Sequence, residues 1–137
     1  MPRSLEIDQG RRRVFGKGSG EIGPADFVHF FSERRRSFYN GFPELLDFGD
    51  ATANFSGDEI KSLATARRKL SEKMPPAPVA YVARNEKLFA AFRMLKELTE
   101  DIRPIEVFRN LTEAERWLDN VGRVHDEKRY FGRSRAV

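Results

Sequence analysis

The hydrophobic positions of this chain change period several times, and each change marks an element. Ser4-Leu5-Glu6-Ile7-Asp8 alternates polar and apolar, the period of a half-buried strand. Gln9-Gly10 supplies turn residues, and Arg12 to Ile22 runs extended with Val14 and Phe15 as apolar anchors. The N-terminus therefore predicts a hairpin whose Arg11-Arg12-Arg13 run opens an outer strand, where charge discourages edge-to-edge pairing. Gly23-Pro24 then opens a helix, with proline suited to the first helical position and Asp26 to the positive end of the dipole. Phe27, Phe30, Phe31 and Phe38 form its buried stripe, and Asn40-Gly41 closes the segment as a turn.

The same grammar repeats downstream. Glu44-Leu45-Leu46-Asp47-Phe48 reads as a buried strand, and Ser56 with Glu59 has the spacing of a capping box ahead of a helix faced by Ile60, Leu63, Ala64 and Leu70. Met74-Pro75-Pro76-Ala77-Pro78 ends that helix as a stiff connector. Val79 to Ala83 is an apolar run, and Leu88, Phe92, Leu95 and Leu98 recur at helical spacing behind it. Ile105 to Phe108 is a further short strand, followed by Thr112 and Glu115 as a second capping box and a helix burying Ala114, Trp117, Leu118 and Val121. Consecutive strand-helix units are the signature of a parallel sheet, so the fold class is α/β: a mixed sheet of about five strands, an N-terminal hairpin and then strand-helix units. Residues 1–121 form one domain, and residues 122–137 form a polar, basic tail expected to fray or dock weakly.

Composition narrows the chemistry. A chain of 137 residues buries roughly two-thirds of its unfolded surface, enough for a core without staples. It has no cysteine, which removes disulfides, thiolate catalysis and zinc-finger chemistry and fits a reducing cytoplasm. His29 and His125 stand far apart without ligand spacing, so neither a metal site nor a cofactor is expected. No stretch is apolar for the length of a membrane span, and no apolar signal segment leads the chain, so a cytoplasmic protein is the expectation. The net charge of +4 suggests nucleic acid only until it is located, because residues 14–120 carry 16 Lys+Arg against 17 Asp+Glu and the excess sits at the two ends. A nucleic-acid module should carry its basic footprint on a domain face, so that partner is not expected.

Two constellations offer sites. Gly18-Ser19-Gly20-Glu21-Ile22-Gly23 matches G-x-G-x-x-G, but arginines precede it and Pro24 removes an amide that would cradle a pyrophosphate. Backbone permissiveness in a bending strand is the better account of these glycines. The other constellation lies at the strand carboxyl ends, where open α/β sheets collect ligands. Asp47 and Asp50, Arg84 and Asn85, and Arg109 and Asn110 fall there, and two converging arginines would hold a phosphate or carboxylate. The plain alternative makes Asn85 a helix cap, pairs or solvates both arginines, and places Asp50 in a turn. Of the twelve phenylalanines, Phe42, Phe55 and Phe131 are the ones the pattern does not bury.

The order of elements resembles the STAS domain, the SpoIIAA-like fold. Gly20-Glu21-Ile22 is similar to that family's strand ending before the first helix, and Glu44 to Phe48 resembles its central strand. Val79 to Ala83, Phe92-Arg93-Met94 and above all Val107-Phe108-Arg109-Asn110-Leu111-Thr112-Glu113-Ala114-Glu115-Arg116-Trp117-Leu118 resemble the small bacterial STAS/SEC14-like branch of uncharacterised proteins. The resemblance implies a non-enzymatic regulatory module that binds a partner protein, with a homodimer as one form of partnership. Some members are controlled by phosphorylation of a serine in a D-S-[ST]-G turn. Here that turn is Asn54-Phe55-Ser56-Gly57, so Ser56 is the candidate phosphosite, one place late, and a phosphate at a helix N-terminus is electrostatically tolerated. Lipid-binding relatives of the fold keep a second reading open: a small hydrophobic or anionic ligand near the strand carboxyl ends. The candidate ligand or partner site is thus Asp47, Asp50, Asn54, Arg84, Asn85, Arg109 and Asn110. A ligand carrier should enclose an apolar pocket beside Phe27, Phe31, Phe89 or Phe92, and an interaction module should have a filled core with an open apolar patch. An enzyme should gather Asp47 and Asp50 with Arg84 or Arg109 in one concavity.

Overall fold

A computed structural model describes residues 3–28, 41–72 and 77–121. The chain is α/β, with one five-stranded mixed sheet and four helices among the described residues. The strands are β1 (Arg3–Asp8), β2 (Arg13–Ile22), β3 (Glu44–Ala53), β4 (Val79–Ala83) and β5 (Ile105–Phe108), and they lie side by side in sequence order. β1 pairs with β2 antiparallel, and every later pair is parallel. The helices are α1 (helical over residues 24–28), α2 (Gly57–Ser71), α3 (Glu86–Thr99) and α4 (residues 111–121).

Chirality distributes the helices. Crossovers between parallel strands are right-handed, so a sheet built strand by strand in one direction receives its connecting helices on one face. Phe27 of α1, Ile60 and Leu63 of α2, and Leu88, Phe92 and Leu95 of α3 share one core cluster with Leu46, Phe48, Val79, Tyr81 and Ile105 of the sheet. We call this the inner face. α4 follows the last strand, no crossover constrains it, and it lies on the outer face, where Ala114 and Leu118 pack on Leu45, Ala80 and Val82 with Phe15, Phe108 and Trp117 around them.

Glycines in β2 make room for an aromatic cluster on the inner face. A Cβ on Gly18 would stand 2.5 Å from the Phe48 ring, which lies across the strand there. Phe48 contacts Phe27 at 5.1 Å between centroids and Phe92 at 5.5 Å, and Phe92 stacks on Tyr81 at 4.5 Å. Phe55, which the pattern did not bury, is half-buried edge-on to Phe27, and Phe42 is half-buried under the Arg12 guanidinium. Phe30, Phe31, Phe38 and Phe131 lie outside the described residues, as do Asn40 and the tail from residue 122.

Local geometry departs from the sequence reading in three places. The hairpin turn spans residues 9–12 with Arg12 at a positive φ of 57°, and β2 is an interior strand, so the arginine run does not open an edge. Arg11 and Arg12 stay in the turn, whereas Arg13 is buried and donates 2.7 Å to Asp119 of α4. β3 continues five residues beyond Phe48, to Ala53. Finally, α4 is capped by Asn110, whose Oδ1 accepts from the Glu113 amide at 2.9 Å, so Thr112 falls inside the first turn instead of capping it.

Candidate functional site

The strand order offers the carboxyl ends no switch point. Ligands of open α/β sheets settle where strand order reverses and neighbouring loops part. Here β2 to β5 proceed in one direction without reversal. The fingerprint glycines are also spoken for: the Gly23 amide donates to Asp26 Oδ2 at 2.8 Å, and Gly20, with φ of 74°, lets the strand bend.

A bulge in β3 decides where the predicted acids go. Lys17 pairs with Asp47, but Ser19 pairs with Asp50, so β3 carries one extra residue around Gly49. Alternation is thereby shifted, and Phe48, Ala51 and Ala53 all enter the inner core although 48 and 51 differ by an odd number. Asp47 and Asp50 consequently fall on the same outer face. The Arg84 guanidinium lies over Gly49, within 3.0 Å of where a Cβ would stand, and reaches Asp50 at 3.7 Å. Asp47 accepts the Gly49 amide at 2.9 Å. Three of the predicted residues, Asp47, Asp50 and Arg84, are therefore brought together around Gly49.

The others go elsewhere. Asn85 caps α3, accepting from the Leu88 amide at 3.0 Å, as Asn110 caps α4. Arg109 holds both oxygens of Glu86 and lies 4.0 Å over the Phe89 ring. The hydrogen bonds and charge of Arg109 hold the Glu86 carboxyl below its usual range. Asn54 is exposed in the loop before α2. Ser56 completes the capping box, with its Oγ accepting from the Glu59 amide at 3.1 Å and its amide donating to Glu59 at 2.9 Å. Asp58 and Glu59 crowd that first turn, so a phosphate on Ser56 would meet two carboxylates as well as the dipole.

A different concavity lies on the outer face. α4 covers only part of the sheet and leaves a groove of about 300 Å³ over β1, β2 and β3. Phe15 and Leu45 line its apolar part with Leu111, and Glu6, Lys17, Asp47 and Glu115 supply the charges. Glu115 also borders a second hollow of about 370 Å³, together with Arg11, Arg13 and Asp119. Leu111 is one of two large hydrophobics exposed among the described residues. Of the groove residues, the sequence reading had singled out only Asp47 for a site. The missing signal is long-range: Phe15 reads as core, yet against α4 it is only partly buried, and Arg13 meets Asp119 across 106 residues of sequence.

On the inner face, the hollow bounded by Phe27, Phe55, Ile60 and Phe92 amounts to about 10 Å³, at the lower limit for a single water. An acyl chain does not fit there. Among the described residues no cluster of three His, Cys, Asp or Glu could hold a metal, and no helix is long and apolar enough to cross a membrane. Compared with known proteins, the chain matches no family model and no curated protein sequence.

Proposed function

We propose that the chain is a non-catalytic interaction module of STAS-like type, working in the cytoplasm, whose docking surface is the outer-face groove beside α4. One observation carries this reading: among the described residues, three helices pack on the inner face over a shared aromatic core, whereas the outer face carries one helix beside a groove with an apolar floor and charged margins. Such a surface, apolar in the middle and polar at the rim, has the composition of a protein docking patch. The acid pair offers little to catalysis, since Asp50 faces Arg84 and Asp47 turns to its own strand's backbone. The resemblance to partner-binding STAS domains supports the same conclusion independently.

Affinity capture with immobilised protein tests it. A protein retained by the natural chain should be lost from the Lys17→Glu, Leu111→Ser double variant while the thermal midpoint stays in place. Retention that survives both substitutions would move docking off this groove.

A further inference from the structure

Among the described residues β5 ends the sheet beyond β4, and a further strand would add along its outward backbone. The ladder tells which of its residues face out. The Val79 amide donates to the Pro104 carbonyl at 2.9 Å, so residues 104, 106 and 108 turn their backbone groups to β4 while Ile105 and Val107 turn theirs away. Side chains alternate between the two faces of the sheet. Ile105 and Val107 lie in the inner core and Phe108 in the outer cluster, so Glu106 leaves the strand on the outer face. Its carboxylate does not stay there. It accepts from the outward Val107 amide at 3.1 Å and from the Lys96 ammonium of α3 at 3.2 Å, although α3 packs on the inner face. A group reached at once from an inner-face helix and from an outward amide lies across the rim of the sheet.

We propose that Glu106, anchored by Lys96, is a guard that closes the β5 edge to strand addition by a second copy of this chain. It acts in two ways. The carboxylate occupies the Val107 amide that an added strand would need. It also opposes the pairing that two β5 edges would make with each other. Antiparallel strands related by a twofold axis set residues of the same face opposite one another, and the register that uses both outward residues places Ile105 against Val107 of the second copy. That register puts the two Glu106 residues on the axis, with Cα atoms about 4.5 Å apart, where like charges repel. Without the glutamate, Ile105 to Phe108 has the composition of a strand that pairs well, with Ile, Val and Phe at its other positions. The proposal is independent of the outer-face groove, which lies over β1, β2 and β3.

Analytical ultracentrifugation of full-length variants tests it. Glu106→Thr keeps a strand-forming residue that neither reaches the rim nor carries charge, and Glu21→Thr removes one exposed carboxylate from β2 as the control for charge. Lys96→Met leaves Glu106 in place and removes its anchor. Glu106→Thr should self-associate on the order of tenfold more tightly than Glu21→Thr, with Lys96→Met between them. Hydrogen exchange locates the effect. At concentrations where the chains are monomeric, the Val107 amide should exchange about tenfold faster in Glu106→Thr than in the natural chain, while the Val82 amide, inside the sheet, keeps its rate. Association of Glu106→Thr no tighter than that of Glu21→Thr overturns the proposal, and so does unchanged exchange at Val107. Equal acceleration at Val82 also overturns it, because the cause would then be a loosened fold and not an opened edge.

Discussion

On the inner face of the sheet, α1, α2 and α3 bury Leu46, Phe48, Val79 and Tyr81 under a continuous aromatic cluster, whereas on the outer face α4 buries Leu45, Ala80 and Val82 and leaves Phe15 partly open and Lys17 in solvent. The same alternating strands feed both faces, so the difference comes from the connections and not from strand composition. Right-handed crossovers oblige three helices to one side; only the element after the last strand is free to choose the other. Among the described residues, one face is thereby covered by helices and the other keeps part of its sheet uncovered.

Substitutions should separate the two faces by size of effect. The largest loss is expected at the foot of the inner face, where Glu44 is buried between Arg67 at 3.9 Å and Arg103 at 3.4 Å, tying β3 to α2 and to the turn before β5. Glu44→Ala should cost about 3–5 kcal/mol in chemical unfolding, because two buried guanidiniums lose their shared carboxylate. Gly18→Ala comes next, at about 1–3 kcal/mol, since its Cβ must displace the Phe48 ring from a packed core. Lys17→Glu and Leu111→Ser, in the open groove, should each stay within about 0.5 kcal/mol of the natural chain. A groove substitution that unfolds the protein as Glu44→Ala does would erase the contrast.

The smallest effect is acid-dependent. Glu86 and Asp101 have lowered carboxyl pKa values, each held down first by side-chain hydrogen bonds, from Arg109 and from Arg68 respectively. A depressed folded-state value contributes stability that is complete above the unfolded value and is lost as pH falls through the folded one. Both pairs are at the surface, so the loss on acidification should be slight and should shrink at high salt. Thermal midpoints measured from neutral to acid pH should fall less in Arg68→Gln and Arg109→Gln variants.

What was legible in the sequence was whatever is encoded locally. Strand periodicity located all five strands, the S-x-x-E spacing located the α2 cap at Ser56, and Asn85 was recognisable as a cap of α3. What was not legible depends on residues far apart in sequence. The bulge at Gly49, which turns Asp47 and Asp50 to one face, exists only against β2. The Glu44, Arg67 and Arg103 cluster joins residues up to 59 positions apart. The choice of face by α4 leaves no periodic trace, since a stripe of Ala114 and Leu118 reads the same on either side of a sheet. The groove follows from that choice, so its residues had no local signature as a site.

The measurement closest to the central claim is photo-crosslinking in living cells from one position on each face: a photoreactive residue at Lys17, in the groove, and at Lys61, exposed on α2. The account predicts a discrete protein adduct from position 17 and none from position 61. An adduct from 61 with silence at 17 would contradict it and place the docking surface on the helical face.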